Sequence, residues 1–170
     1  MPTKSEGYVI VKASLTDVPT MMAIFAGARA FMAEQHNPNQ WGPASWPPQS
    51  LIEQDIAEGK SYLVKKGNEI IGTFFCDAGE KVEPTYAYIE GEGWKYDGPY
   101  AVIHRIASSF THKGVGEVAI NFALTKAPHV RIDTHEDNAP MRGLLQKYGF
   151  QYRGIIYVAH SKNPRLAFEL

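Results

Sequence analysis

The stretch His112–Ala123, HKGVGEVAINFA, decides how this chain is read. Val115, Val118, Ala119, Phe122 and Ala123 recur at helical spacing, so an amphipathic helix starts here, and two glycines and a lysine stand at its mouth. Glycine is a poor helix interior residue but serves where backbone passes close to a ligand. The first N–H groups of a helix have no internal partners, so a glycine-rich entry beside a cation suits an anionic group, most often a phosphate. Two readings stay open on these residues alone: an anion cradle, or a tight turn with a permissive cap.

Working outward, YAVIHRIASS (100–109) precedes the turn as a near-continuous apolar strand, the pattern of a strand covered on both faces. HVRIDTHE (129–136) follows as a second buried strand, and a helix runs from about Asn138 to Lys147, stopped by Gly149. Strand, turn, helix and strand in that order make a parallel crossover. FQYRGIIYV and RLAFEL end the chain as strands. In the first half, YVIVKA (8–13) reads as a strand, and Ser14-x-x-Asp17 caps a helix with Val18, Met21, Met22, Phe25, Ala28 and Met32 on one face. EQHNPNQWGPASWPPQ (34–49) is an ordered loop, SLIEQDIAEG (50–59) a short helix ending at Gly59, and KSYLVKKGNEIIGTFFC (60–76) two antiparallel strands joined at Gly67-Asn68. Between Ala78 and Pro99, TYAYIE is taken as a further strand. The expected fold is a mixed α/β (α+β), mostly antiparallel sheet with helices on both faces, one domain over residues 1–170.

Composition sets the outer limits. At 170 residues the chain can bury a core without disulfides or metals. Hydrophobic residues at 44% and charged residues at 21% are ordinary for a globular protein, which excludes disorder. A formal net charge of -1 provides no overall attraction to nucleic acid or an anionic membrane, so any anion site is local. The lone cysteine, Cys76, has no partner for an internal disulfide and sits in the apolar run GTFFCDAG. With no apolar leader in MPTKSEGYVI and no run approaching the roughly 18 apolar residues of a membrane span, a cytoplasmic location is expected.

The second half, VIHRIASSFTHKGVGEVAINFAL then RIDTHEDNAPMRGLLQKYGFQYRGIIYV, resembles the GNAT superfamily of acyl-CoA-dependent N-acyltransferases. The match rests on the glycine loop (114–116), the strand after it, and an Asn-led helix running from Asn138 to Gly149-Phe150. It implies that the loop holds the pyrophosphate of acetyl-CoA through Thr111, His112, Lys113, Gly114, Val115, Gly116 and Glu117. It also implies that Ile106, Ala107 and Ser108 run beside the pantetheine arm, that Asn138 and Met141 touch the cofactor, and that the protein is a homodimer. Two departures stand out. The family's Gln or Arg before the glycines is Thr111, and the tyrosine many members carry seven residues after the Asn is Leu145.

Acyl transfer to an amine calls for a base, and His104, Asp133 and His135 are candidates on the strands flanking the expected thioester; each also reads as a satisfied polar residue of the sheet. Tyr148, one turn past Leu145, stands in for the missing tyrosine or caps its helix against the next strand. The alternating Asp133, His135 and Asp137 make a poor zinc pattern, and no metal is expected. Trp41 and Trp46 wall an acceptor pocket or pack over the first helix. Glu80, Glu83, Glu90, Glu92 and Asp97 outweigh Lys81 and Lys95 in one loop, which draws a cationic amine or is simply solvated. The expected activity is N-acetyl transfer from acetyl-CoA to a primary amine of a small molecule or peptide. The alternatives are a non-catalytic acyl-CoA sensor and a phosphate-binding module unrelated to coenzyme A.

Overall fold

A computed structural model of the chain describes residues 7–41, 45–159 and 163–170. Seven strands form one sheet: β1 (Tyr8–Lys12), β2 (Ser61–Lys66), β3 (Glu69–Gly79), β4 (Tyr100–Ser108), β5 (Val130–Thr134), β6 (Gln151–Tyr157) and β7 (Pro164–Glu169). Their spatial order is β1-β2-β3-β4-β5-β7-β6, and every neighbouring pair is antiparallel except β4 and β5. The helices are α1 (Val18–Glu34), α2 (Gln49–Ala57), α3 (Val115–Leu124) and α4 (Ala139–Lys147). A parallel pair cannot be closed by a hairpin, and α3 is the crossover that joins β4 to β5.

The two faces of the sheet are covered by different helices. Val115, Val118 and Ala119 of α3 and Leu145 of α4 pack with Ile71, Ile103 and Ile132 on one face. Met21, Ile24 and Phe25 of α1 and Ile52 of α2 pack with Leu63 and Ala107 on the other. A third cluster, Tyr86, Tyr100, Val102, Ile156 and Ala167, lies under the loop that joins β3 to β4.

Local chemistry explains the element ends. Ser14 and Asp17 form the expected capping box, on a short 3-10 turn (Leu15–Asp17) that feeds α1. Asn138 caps α4 by accepting from the Met141 N–H at 3.1 Å. TYAYIE does not form a strand. Glu83 accepts from the Thr85 N–H, Pro84 occupies the first position, and Pro84–Ala87 wind into a 3-10 turn that buries Tyr86. One bridge, Glu90 to Ile155, then ties this loop to β6. Gly154 permits it, because a Cβ there would run into the Glu90 carbonyl.

Cys76 is buried on β3, and burial, helped by the charge of Asp77, pushes its thiol up to about 12. The native protein at pH 8 is therefore expected to leave a disulfide-exchange dye unreacted, with one equivalent of thiol appearing only in denaturant. Rapid labelling of the native state would show that the β3 core opens freely.

Candidate active site

β4 determines the site. Thr73 of β3 pairs with Ala107 and Phe75 with His104, so Arg105 and Ile106 together stand opposite Phe74. That is a β-bulge, and Arg105 takes it with φ of 53°, a left-handed conformation unusual for a side chain of this size. Its guanidinium is anchored by Asp55 of α2 (Nε to Oδ2, 2.9 Å) and lies 4.5 Å from the Phe75 ring centroid. Burial raises the Asp55 carboxyl above its usual range, with Arg105 acting against the rise.

On its other side β4 pairs with β5 only at Ala101 and Val102. Beyond that the strands part. The gap opens into a cavity of about 440 Å³ with Ile103 and Ile132 on its floor and Met32, Trp41 and Trp46 on its apolar wall. Its polar lining includes Gln40, Glu83, His104, Arg105, Asp133, Asn138 and Arg165.

His104 stands between two carboxylates. Its Nε2 lies 2.5 Å from Glu83 Oε1 and its Nδ1 3.9 Å from Asp133 Oδ2, and all three side chains are less than a fifth exposed. Burial pushes the Glu83 carboxyl up, but hydrogen bonds from His104 and Thr85 outweigh it and hold the group at about 2. With an ionised Glu83 beside Nε2, the neutral-ring tautomer that keeps its proton on Nε2 is favoured, which leaves the lone pair at Nδ1. Asp133 accepts a 2.7 Å hydrogen bond from Tyr86, whose hydroxyl is pushed well above its ordinary value by burial and by Asp133.

A narrower cavity of about 200 Å³ adjoins this one, sharing Met32, Ile106, Asn138 and Met141 and reaching Ala107, Ser108, Val115 and Gly116. It leads along the unpaired side of β4 to the start of α3. There Gly114 adopts φ of 99° as the N-cap, and Val118 is the residue whose N–H bonds back to the Gly114 carbonyl at 3.0 Å. By helix geometry the N–H groups of Val115, Gly116 and Glu117 point out of the helix end. Tyr8 of β1 fixes the turn by donating to the Lys113 carbonyl at 2.7 Å, and Thr111 bonds sideways to Ser109 at 2.7 Å and to His112 at 3.1 Å. Exposed Lys113 adds a cation, while the Glu117 carboxylate is drawn toward α4 by Lys147 at 3.0 Å. A free helix end, an adjacent cation and a slot bordered by unpaired strand backbone fit a diphosphate with a long amide-bearing arm. A Cβ at Gly116 would also meet the tip of the Leu144 side chain on α4, which would have to shift to admit it.

The remaining expected residues fall in several places. Trp41 lines the cavity and packs edge-on against Phe25 of α1 at 6.0 Å. Trp46 lines the cavity and accepts at its carbonyl from Arg29. The Asn138 amide donates to Gln40 at 2.9 Å while its oxygen caps α4. His135 is buried outside both cavity linings, burial pushes its imidazole pKa down, and its Nδ1 accepts from the Asp137 N–H. Tyr148 packs against the α3 face of the core within reach of Asn121 and Glu117, and lines neither cavity. Sequence reasoning singles out neither Gln40 nor Arg165, and it sees Glu83 only as one acid in a charged loop. No periodicity signals them, because the chain brings them together from a loop, a turn and the last strand.

Residues 29–150 match the acetyltransferase (GNAT) family. A GNAT-family acetyltransferase of Streptococcus agalactiae superposes with a TM-score of 0.84 at 28% identity, over 96% of this chain and 95% of that one. One from Listeria monocytogenes gives 0.67 at 19% identity, over 96% and 94%. An agmatine N-acetyltransferase gives 0.62 at 11%, over 97% and 99%, which at such identity shows the fold alone. No curated protein matches the chain. With its parallel β4–β5 pair splayed beside a glycine-capped helix, and with most of its length matched to the family, this chain belongs to the acetyltransferase (GNAT) family.

Proposed function

We propose that the chain, as one cytoplasmic catalytic domain, moves an acetyl group from acetyl-CoA to a primary amine by direct attack. The observation that carries this reading is the His104 cluster, set in the cavity that opens where β4 leaves β5 and adjoining the slot that runs to α3. Bound there, acetyl-CoA supplies a thioester whose thiol, ordinarily near ~8.5 against ~10.4 for an alkylammonium, can leave as thiolate without a dedicated acid. This chain's residues supply the rest. The α3 N–H groups and Lys113 hold the diphosphate, and the unpaired backbone from Ile106 to Ser108 orients the arm and the acyl oxygen. Asp133, kept hydrogen-bonded by Tyr86, attracts the ammonium form of the acceptor. His104 Nδ1 takes the proton from nitrogen, and Glu83 at Nε2 holds the ring in the tautomer that can do so.

One feature favours the sensor reading. Leu145, where many family members have tyrosine, is fully buried, so no phenol stands at that position. Thiol release with an amine panel separates the two, since a sensor binds without releasing thiol.

Three outcomes are expected. His104→Ala lowers kcat by about 10²–10³ while calorimetry finds coenzyme A affinity within about twofold of wild type; equal loss of affinity would place His104 in cofactor binding instead. Gly114→Val forces a branched side chain into a left-handed cap and abolishes coenzyme A binding with the circular dichroism spectrum retained. Glu83→Gln tests the depressed carboxyl. A group lowered from 4.5 to about 2 stabilises the fold fully above pH 4.5 and loses that contribution as pH falls toward 2. In urea titrations the variant's deficit, on the order of 2 kcal/mol at pH 6, should therefore shrink as pH drops from 5 to 3. A deficit independent of pH would mean that Glu83 is not ionised in the folded state.

A further inference from the structure

Four arginines lie on the strands, and three have a carboxylate: Arg105 with Asp55 at 2.9 Å, Arg131 with Glu169 at 2.9 Å, and Arg153 with Glu92 at 3.5 Å. Arg165 of β7 is the exception. It is only 2% exposed, it lines the 440 Å³ cavity, and no carboxylate of the described residues lies within 4.0 Å of its guanidinium. Its Nη2 donates to the Gln40 carbonyl at 2.9 Å and its Nη1 to the Pro164 carbonyl at 3.3 Å. Asp133 on the same face of the sheet contributes a longer-range field, but its carboxylate is bonded to Tyr86. Of the residues outside the described ones, 42–44 (Gly-Pro-Ala) and 160–162 (His-Ser-Lys) contain no acid, and residues 1–6, which include Glu6, precede β1 at the opposite edge of the sheet from β7 and β6.

A buried guanidinium stays charged, and burying it without a counter-ion is costly. Such a cost is tolerated where a ligand completes the pair. The cavity lining carries charges of both signs, with Glu83 and Asp133 beside His104 and the Arg165 cation among the other lining residues. We infer that Arg165 is the carboxylate-binding residue of the acceptor site, and that the acceptor is a small amino acid-type molecule carrying both a primary amine and a carboxylate. This rests on the proposal that the cavity receives the acceptor. The guanidinium N–H groups not given to the Gln40 and Pro164 carbonyls take the carboxylate, and the amine is directed toward His104.

The test uses pairs of compounds differing only in the α-carboxylate: L-arginine with agmatine, L-lysine with cadaverine and L-ornithine with putrescine, alongside the remaining amino acids. Thiol release with acetyl-CoA and calorimetric binding are both measured. Wild type is expected to favour carboxylate-bearing compounds by at least about tenfold in kcat/KM and in affinity, because a site left with an unpaired charge rejects the analogue lacking its partner. Arg165→Met, similar in volume and free of the buried charge, should keep or raise Tm and lose that preference; Arg165→Lys should recover part of it. Equal or better use of the decarboxylated amines by wild type overturns the inference and leaves acetyl transfer standing. So does a preference that survives in Arg165→Met with a lowered Tm, the mark of a purely structural arginine holding Gln40. Carboxylate-selective binding that Arg165→Met removes, with no thiol release, supports the anion site and overturns the transferase reading. Absence of both binding preference and turnover overturns both.

Discussion

Everything functional here depends on β4 being held on one side and released on the other. β3 pairs along it from Tyr100 to Ser108, while β5 stays beside it for two residues and then departs. Past that point β4 bulges at Arg105 and Ile106, and the Arg105–Asp55 pair with the Phe75 contact holds a strained backbone in place. Parallel strands that stayed paired would leave no room for a ligand between them. Here their separation exposes strand backbone at the centre of an otherwise complete sheet.

Around that opening, charge is arranged by segments distant in sequence. Glu83 and Tyr86 come from the β3–β4 loop, which Gly154 and Glu90 clamp to β6. His104 comes from β4, Asp133 from β5 and Arg165 from β7. Gln40 links several parts, since its side chain accepts from Asn37 and Asn138 and its carbonyl accepts from Arg165. Through it the loop after α1, the cap of α4 and the last strand share one hydrogen-bonded junction, so the larger cavity and the slot leading to α3 are tied together mechanically.

Much of the frame is legible because it depends on local rules. The Ser14–Asp17 box, the Gly67-Asn68 hairpin, the helical periodicity after Gly114 and the Asn138 cap all follow from interactions within a few residues, and each appears as expected. TYAYIE misleads because its aromatic and β-branched residues resemble a strand, while Pro84 and the Glu83 cap favour a tight turn. Gly116 reads as a ligand residue, and in the fold it also answers to Leu144 on a neighbouring helix.

The sequence by itself determined the order of elements, the parallel crossover through α3 and the exposed N–H end at Gly114, since backbone preference and hydrophobic period act over short spans. Only the tertiary structure decided that Arg105 would bulge, that Glu83 would meet His104, and that Arg165 would be buried with no carboxylate of the described residues paired to it. Those outcomes depend on which side chains share a small volume of low dielectric, and no local pattern encodes proximity between residues tens of positions apart.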